Sequence, residues 1–133
     1  MNATARGLAQ WHTLATAPDP ERLAGLVAED AVFHSPVVHT PQEGCQLVVA
    51  YLSAAAATLG QGQFRYVREI VDGRDAMLEF TCILDDIHVN GVDIIRFDEA
   101  GKIEDFKVMI RPIKAVNKVW EMMAAQLERA SAS

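Results

Sequence analysis

The spacing of apolar residues changes once along the chain, from helical to strand-like, near Phe64. Before that point, Leu8, Trp11, Leu14 and Ala15 fall on one face of a helix. Pro18-Asp19-Pro20-Glu21 breaks that helix and starts another. Asp19 can cap the free amides of the new helix, and Pro20 suits its first position, where no amide donor is needed. Leu23, Leu26 and Val27 form its buried stripe. A short strand over Ala31-Val32-Phe33-His34 follows and ends at Ser35-Pro36. Thr40-Pro41-Gln42-Glu43 reads as a capping box ahead of a third apolar helix, from about Gly44 to Leu59.

Beyond Phe64 the period is that of strands. Phe64 to Val71 and Arg74 to Leu84 flank Asp72-Gly73, a favoured tight turn because glycine tolerates positive φ. Asp85-Asp86 is a weaker turn leading into a strand from Ile87 to Phe97. Asn90-Gly91 inside it reads as a bulge or kink. Glu99-Ala100-Gly101 turns the chain into the last strand, Lys102 to Arg111, which Pro112 stops. A closing helix carries Ile113, Val116, Trp120, Met123 and Leu127 on one face.

The pattern predicts an α+β domain: three helices, an antiparallel meander and an extra C-terminal helix. A sheet of four long strands must twist, and helices across its open side enclose a concave space, the candidate ligand pocket. At 133 residues, 1–133 reads as a single domain large enough for an ordinary core. The chain holds 50% apolar and 23% charged residues, with 18 acidic against 12 basic side chains and a net charge of −6. That balance repels nucleic acid, and no basic stripe offsets it. The segment Met1 to Gly7 lacks the apolar run of a secretory signal, and the apolar window Leu47 to Leu59 is too short to span a bilayer. A cytoplasmic protein with no membrane partner is expected. Cys45 and Cys82 stand in no metal or redox spacing and are expected to be buried free thiols.

Asp93 is the most informative residue. It shares a strand face with Gly91, Ile95 and Phe97, where an unpaired carboxylate would cost several kcal/mol (roughly). It must be protonated, paired or at a wet pocket, and desolvation would raise its pKa and make it a potential acid. A purely structural aspartate is the alternative. His34 lies beside the Pro36 turn, and because histidine as a residue type can act as acid or base it is the second catalytic candidate, against a structural role for the same residue. The four histidines form no ligand pair, so no metal is expected. No phosphate loop, nucleophile elbow or paired-carboxylate motif occurs, and no cofactor is expected.

The run Asn90-Gly91-Val92-Asp93-Ile94-Ile95-Arg96-Phe97-Asp98-Glu99-Ala100-Gly101-Lys102-Ile103, with Val32-Phe33-His34-Ser35-Pro36 earlier, resembles the ketosteroid isomerases. More broadly the chain is similar to the nuclear-transport-factor-two-like superfamily, including SnoaL-type polyketide cyclases and limonene epoxide hydrolase. The resemblance implies a cone-shaped, cystatin-like α+β barrel and a homodimer. It also implies that Asp93 matches the protonated aspartate of the isomerase mechanism, which is a worked case of general acid–base chemistry. The isomerase base falls on Ser35, which cannot shuttle the proton, and its tyrosine falls on Trp11, whose indole donates a hydrogen bond but is no practical acid. Steroid isomerisation by that mechanism is therefore disfavoured. The arginine of the epoxide hydrolase falls on Gly91, so that triad is missing too.

By the same pattern Phe106, Val108 and Ile110 face the pocket, and alternation adds Leu78, Phe80 and Cys82. With Trp11 and Tyr51 from helices, the lining suits a small apolar molecule rather than a sugar or nucleotide. Three readings stay open: an acid–base isomerase, lyase or hydrolase on a carbonyl-like substrate, a non-catalytic binding domain, and a dimeric scaffold. Val92 and Ile94, apolar on the face away from Asp93, point to dimerisation through the outer face of the sheet.

Overall fold

The computed structural model describes residues 1–132. Helix α1 spans Ala3–Thr16, α2 Pro20–Leu26, α3 Cys45–Leu59 and α4 Ile113–Ala132. The strands are β1 Val27–His34, β2 Gln42–Glu43, β3 Arg65–Asp72, β4 Asp75–Leu84, β5 Ile87–Phe97 and β6 Ile103–Arg111. They form one curved, open sheet in the order β2-β1-β6-β5-β4-β3. Strands β3 to β6 are an antiparallel meander, as the periodicity predicts, but β1 runs parallel to β6 and makes the sheet mixed.

Local chemistry explains most element ends. Asp19 caps α2, its Oδ1 accepting the Arg22 amide at 3.2 Å, with Pro20 in the first turn. Asp19→Ala should cost about 1 kcal/mol in urea unfolding, the usual worth of such a cap. Gly73 (φ +61°) begins the two-residue turn between β3 and β4, and Asp85 and Asp86 (φ +48° and +64°) form the next. Two successive left-handed residues match the right-handed twist of the flanking strands.

Four expectations need correction. The Thr40–Glu43 capping box does not form. Glu43 and Gln42 instead pair with Val32 and Phe33, and the helix starts after Gly44 without a side-chain cap. The free edge of β1 satisfies these backbone groups better than a local cap would. Strand β1 is longer than expected, starting at Val27, which leaves the α2 stripe to Leu23 and Leu26. At Gly91 the strand shows no register shift. The irregularities fall between Val27 and Val32, between Tyr66 and Arg68 and between Arg96 and Phe97. Gly91 is required for close packing: a Cβ there would lie 2.4 Å from Phe80 Cζ and 2.8 Å from the Met109 carbonyl. Finally, α4 buries Ala115, Val119 and Met123, whereas Ile113 is 80% exposed and Trp120 37%. Ala115 has no side chain beyond Cβ and lets the helix lie close, which leaves the bulkier stripe outside.

The core fills the concave side. Phe33, Phe80, Phe97, Phe106, Leu78 and Ile95 are fully buried there, between the sheet and the helices. Cys82 is buried and Cys45 half-buried, both as free thiols, and burial pushes the Cys82 thiol up to about 11. Among the described residues no helix is long and apolar enough to cross a membrane.

Candidate active site

Strand parity places Asp93 on the concave face, opposite Leu78 on β4 and Val108 on β6. Its side chain is 5% exposed and lines a cavity of about 230 Å³. Helix α1 contributes Trp11 and Leu14, the bend between α1 and α2 contributes Pro18 to Pro20, and α3 contributes Leu52, Ser53 and the small run Ala55 to Ala57. Phe33, Phe64, Tyr66, Phe106, Val108 and Ile110 rise from the sheet side, and Val119 and Met123 of α4 close the wall. Almost every one of these groups is apolar. The alanine run matters because larger side chains there would fill the space.

The polar end of the cavity is a chain of three residues. Tyr66 donates its hydroxyl proton to Asp93 Oδ2 at 2.5 Å, and Trp11 Nε1–H donates to the Tyr66 hydroxyl at 3.0 Å. The other Asp93 oxygen, Oδ1, makes no hydrogen bond to any of the described residues. Burial pushes the Asp93 carboxyl up to about 7, and the Tyr66 hydrogen bond opposes that rise without reversing it. Tyr66 is itself driven well above its ordinary value, first by burial and then by the neighbouring Asp93 charge. The result is a carboxyl group held well above the ordinary carboxylate range inside an apolar chamber, an arrangement that suits acid–base chemistry.

Of the expected residues, Asp93, Trp11, Phe106, Val108 and Ile110 meet at this cavity. Leu78, Phe80, Cys82 and Tyr51 are not in its wall. Leu78 and Phe80 share the concave face but are overlaid, Phe80 by the rings of Phe64 and Tyr66 at 5.1 and 6.5 Å. Cys82 lies farther along β4, opposite Val89, and Tyr51 packs against the Phe33 ring at 5.5 Å. His34 is separated from Asp93 by parity. Phe33 faces the cavity, so its neighbour His34 points to the convex side, where Nε2 meets Asp105 Oδ1 at 2.9 Å. Ser35 Oγ accepts the Val37 and Val38 amides and shapes the turn. Tyr66 was not anticipated. Alternation with Phe64 pointed to it, but the irregularity beyond it disturbs the parity of β3. Among the described residues no three His, Cys, Asp or Glu side chains are grouped to hold a metal ion.

A SnoaL-like domain model matches residues 8–106. The chain belongs to the SnoaL-like family. The crystal structure of a steroid delta-isomerase from Pseudomonas aeruginosa is similar to it at 35% identity and TM-score 0.93, covering 100% of this chain and 97% of that one. An uncharacterised cystatin-like-fold protein from Silicibacter pomeroyi DSS-3 is 32% identical with TM-score 0.83, over 90% of this chain and 84% of that one. At 24% identity, a nuclear-transport-factor-two-like protein of Mesorhizobium loti shares the fold, with TM-score 0.72 over 83% and 92% of the two chains. No curated protein matches. The SnoaL-like cone explains why the sheet stays open: its concave side is the cavity wall, and the four helices cover it in place of a closing strand pair.

Proposed function

We propose that this SnoaL-like domain is an acid–base enzyme that binds a small, largely apolar carbonyl compound with its oxygen toward Asp93. Asp93 then moves a proton to or from the atoms beside that oxygen. The observation that carries this reading is the Tyr66–Asp93 hydrogen bond in the wall of an apolar cavity. A buried structural carboxyl is usually paired on both oxygens, whereas Oδ1 of Asp93 has no hydrogen bond to a described residue and is free to meet a ligand. The 35% identity to a protein described as a steroid delta-isomerase supports a ketone-type substrate. Tyr66, from β3, restores a tyrosine–aspartate pair that α1 does not supply. The base role is not restored, because Ser35 is bound to backbone amides, so the reaction must use Asp93 as its one proton carrier.

A second reading is a binding domain without turnover, favoured because, among the described residues, no group takes the base role that falls on Ser35. A screen of enones and aromatic ketones separates the two. Wild type should bind and convert a member of the set. Asp93→Asn should abolish conversion while lowering affinity by roughly tenfold or less, the worth of one neutral hydrogen bond. Binding without conversion by wild type would favour the second reading, and conversion by Asp93→Asn would overturn the first.

We also propose that the domain pairs with a second copy through the convex face of the sheet. Ile70, Met77, Val92, Ile94 and Met109 make an apolar centre there. Arg65, Thr81, Asn90 and Arg111 form one row across four strands at one end of that face, and Asp30, Asp75, Glu104 and Asp105 gather around Arg96 at the other. A two-fold axis through the apolar centre lays each basic end on the partner's acidic end. Sedimentation at micromolar concentration should give a dimer that loosens in high salt, with Met109→Glu monomeric and folded. A wild-type monomer would sink the interface.

A further inference from the structure

We propose that Trp11 decides which oxygen of Asp93 carries the proton, placing it on Oδ1, toward the cavity. The argument is one of donors and acceptors. An indole N–H donates and never accepts, so the Tyr66 oxygen must receive the bond from Trp11 at 3.0 Å. The single hydroxyl proton of Tyr66 is then directed to its other neighbour, Asp93 Oδ2, at 2.5 Å. With Oδ2 occupied as an acceptor, a proton taken up by Asp93 goes to Oδ1. Without Trp11 the Tyr66 hydroxyl could turn and accept from Oδ2–H instead, which would hide the acid proton inside the protein.

Trp11 is therefore a positioning residue: it touches Tyr66, and through it sets the polarity of the acid. The consequence for the ligand rests on the function proposed above. The group that meets Oδ1 of the neutral acid is a hydrogen-bond acceptor, a ketone, ester or epoxide oxygen, rather than a hydroxyl donor. The proton placement itself belongs to the protein alone and is tested without ligand. Two other titratable groups bear on Tyr66. His12 on α1 packs edge-on against the Tyr66 ring, with centroids 5.5 Å apart, and pairs with Glu69 of β3 at 2.5 Å. In the sheet Asp93 is flanked by Leu78 and Val108, and Asp19, at the bend before α2, is the other carboxylate lining the cavity.

The test is the indole N–H resonance of Trp11, followed by NMR from pH 5 to 9 together with the Asp93 carboxyl carbon. A His12→Gln background removes the imidazole that packs on the Tyr66 ring, and Trp120→Phe assigns the two indoles. The Trp11 proton should shift with the same midpoint as Asp93, and in Tyr66→Phe it should stop following. Trp11→Phe should raise the proton affinity of Asp93 by roughly threefold, because the Tyr66 hydroxyl loses the donor that strengthens its own bond. The same change in a Tyr66→Phe background should leave that affinity alone. An indole that ignores Asp93, one that still follows it without the Tyr66 hydroxyl, or a Trp11→Phe effect equal in both backgrounds would overturn the relay. None of these outcomes depends on whether a ketone is bound or converted.

Discussion

Asparagine at position 93 should make the protein progressively more stable relative to wild type as pH rises, by about 4 kcal/mol between pH 4 and pH 8. The sign follows from proton binding. In the unfolded chain Asp93 loses its proton near the ordinary carboxylate value of about 4, whereas burial in the fold holds it up to about 7. Between those values the native state binds more protons than the unfolded state, so stability falls as pH rises. The loss begins near pH 4 and is complete above pH 7, at about 1.4 kcal/mol for each tenfold difference in proton affinity. Asparagine keeps the shape and can still accept the Tyr66 hydroxyl, but it does not ionise. Its amide nitrogen takes the place of Oδ1 at the cavity and costs about 1–2 kcal/mol if it finds no partner. Asp93→Asn should therefore be slightly less stable than wild type at pH 4 and clearly more stable at pH 8. Paired urea titrations across that range read the difference directly. A constant gap between the two proteins would mean that Asp93 ionises normally in the fold, and the proton-transfer function would fail with it.

Much of this site was legible because strand parity is a strict constraint. Gly91, Asp93, Ile95 and Phe97 must share a face, and once that face is the core, Phe106, Val108 and Ile110 follow from the antiparallel register. The turns were legible for a similar reason, since Gly73 and the Asp85-Asp86 pair adopt backbone conformations that few other residues tolerate. What escaped was set by tertiary contacts. Tyr66 precedes an irregularity in β3, so counting by twos from either end of the strand gives different answers. His34 sits next to a core phenylalanine, and because Phe33 takes the cavity side His34 points away from Asp93, toward Asp105. The α4 sequence carries two apolar stripes, and only the neighbouring elements decide that Ala115, Val119 and Met123 face inward. Leu78 and Phe80 show a further limit: alternation assigns a face but cannot say which residues on it lie under others.

Gly101→Ala should destabilise the fold by about 3–4 kcal/mol, and the damage should reach the cavity around Asp93. Gly101 sits in the turn between β5 and β6 with φ +86°, a conformation in which a Cβ costs about 1–2 kcal/mol. Its added Cβ would also lie 2.4 Å from the Ala3 carbonyl oxygen, a backbone atom at the start of α1. The contact is reciprocal. A Cβ on Gly7 would come within 2.2 Å of the Gly101 carbonyl and 2.8 Å of the Phe97 ring. Two glycines thus let α1 lie directly on the turn, and Trp11 is the next residue along the same helix face. Pushing α1 away should lengthen the Trp11–Tyr66 hydrogen bond and weaken ligand binding as well as the fold. Gly73→Ala is the control, because Gly73 has φ +61° but open space around its position. That change should cost only the backbone term, about 1 kcal/mol, and leave Trp11 undisturbed. Gly7→Ala carries the clash without the positive-φ term and should cost less than Gly101→Ala, and the double variant should cost less than their sum, because one displacement of α1 relieves both clashes. Urea unfolding of the four variants, with the Trp11 indole resonance as the local probe, measures each term. If Gly101→Ala costs no more than Gly73→Ala, α1 is not held by close contact with the turn, and its hold on Trp11 must come from elsewhere in the helix.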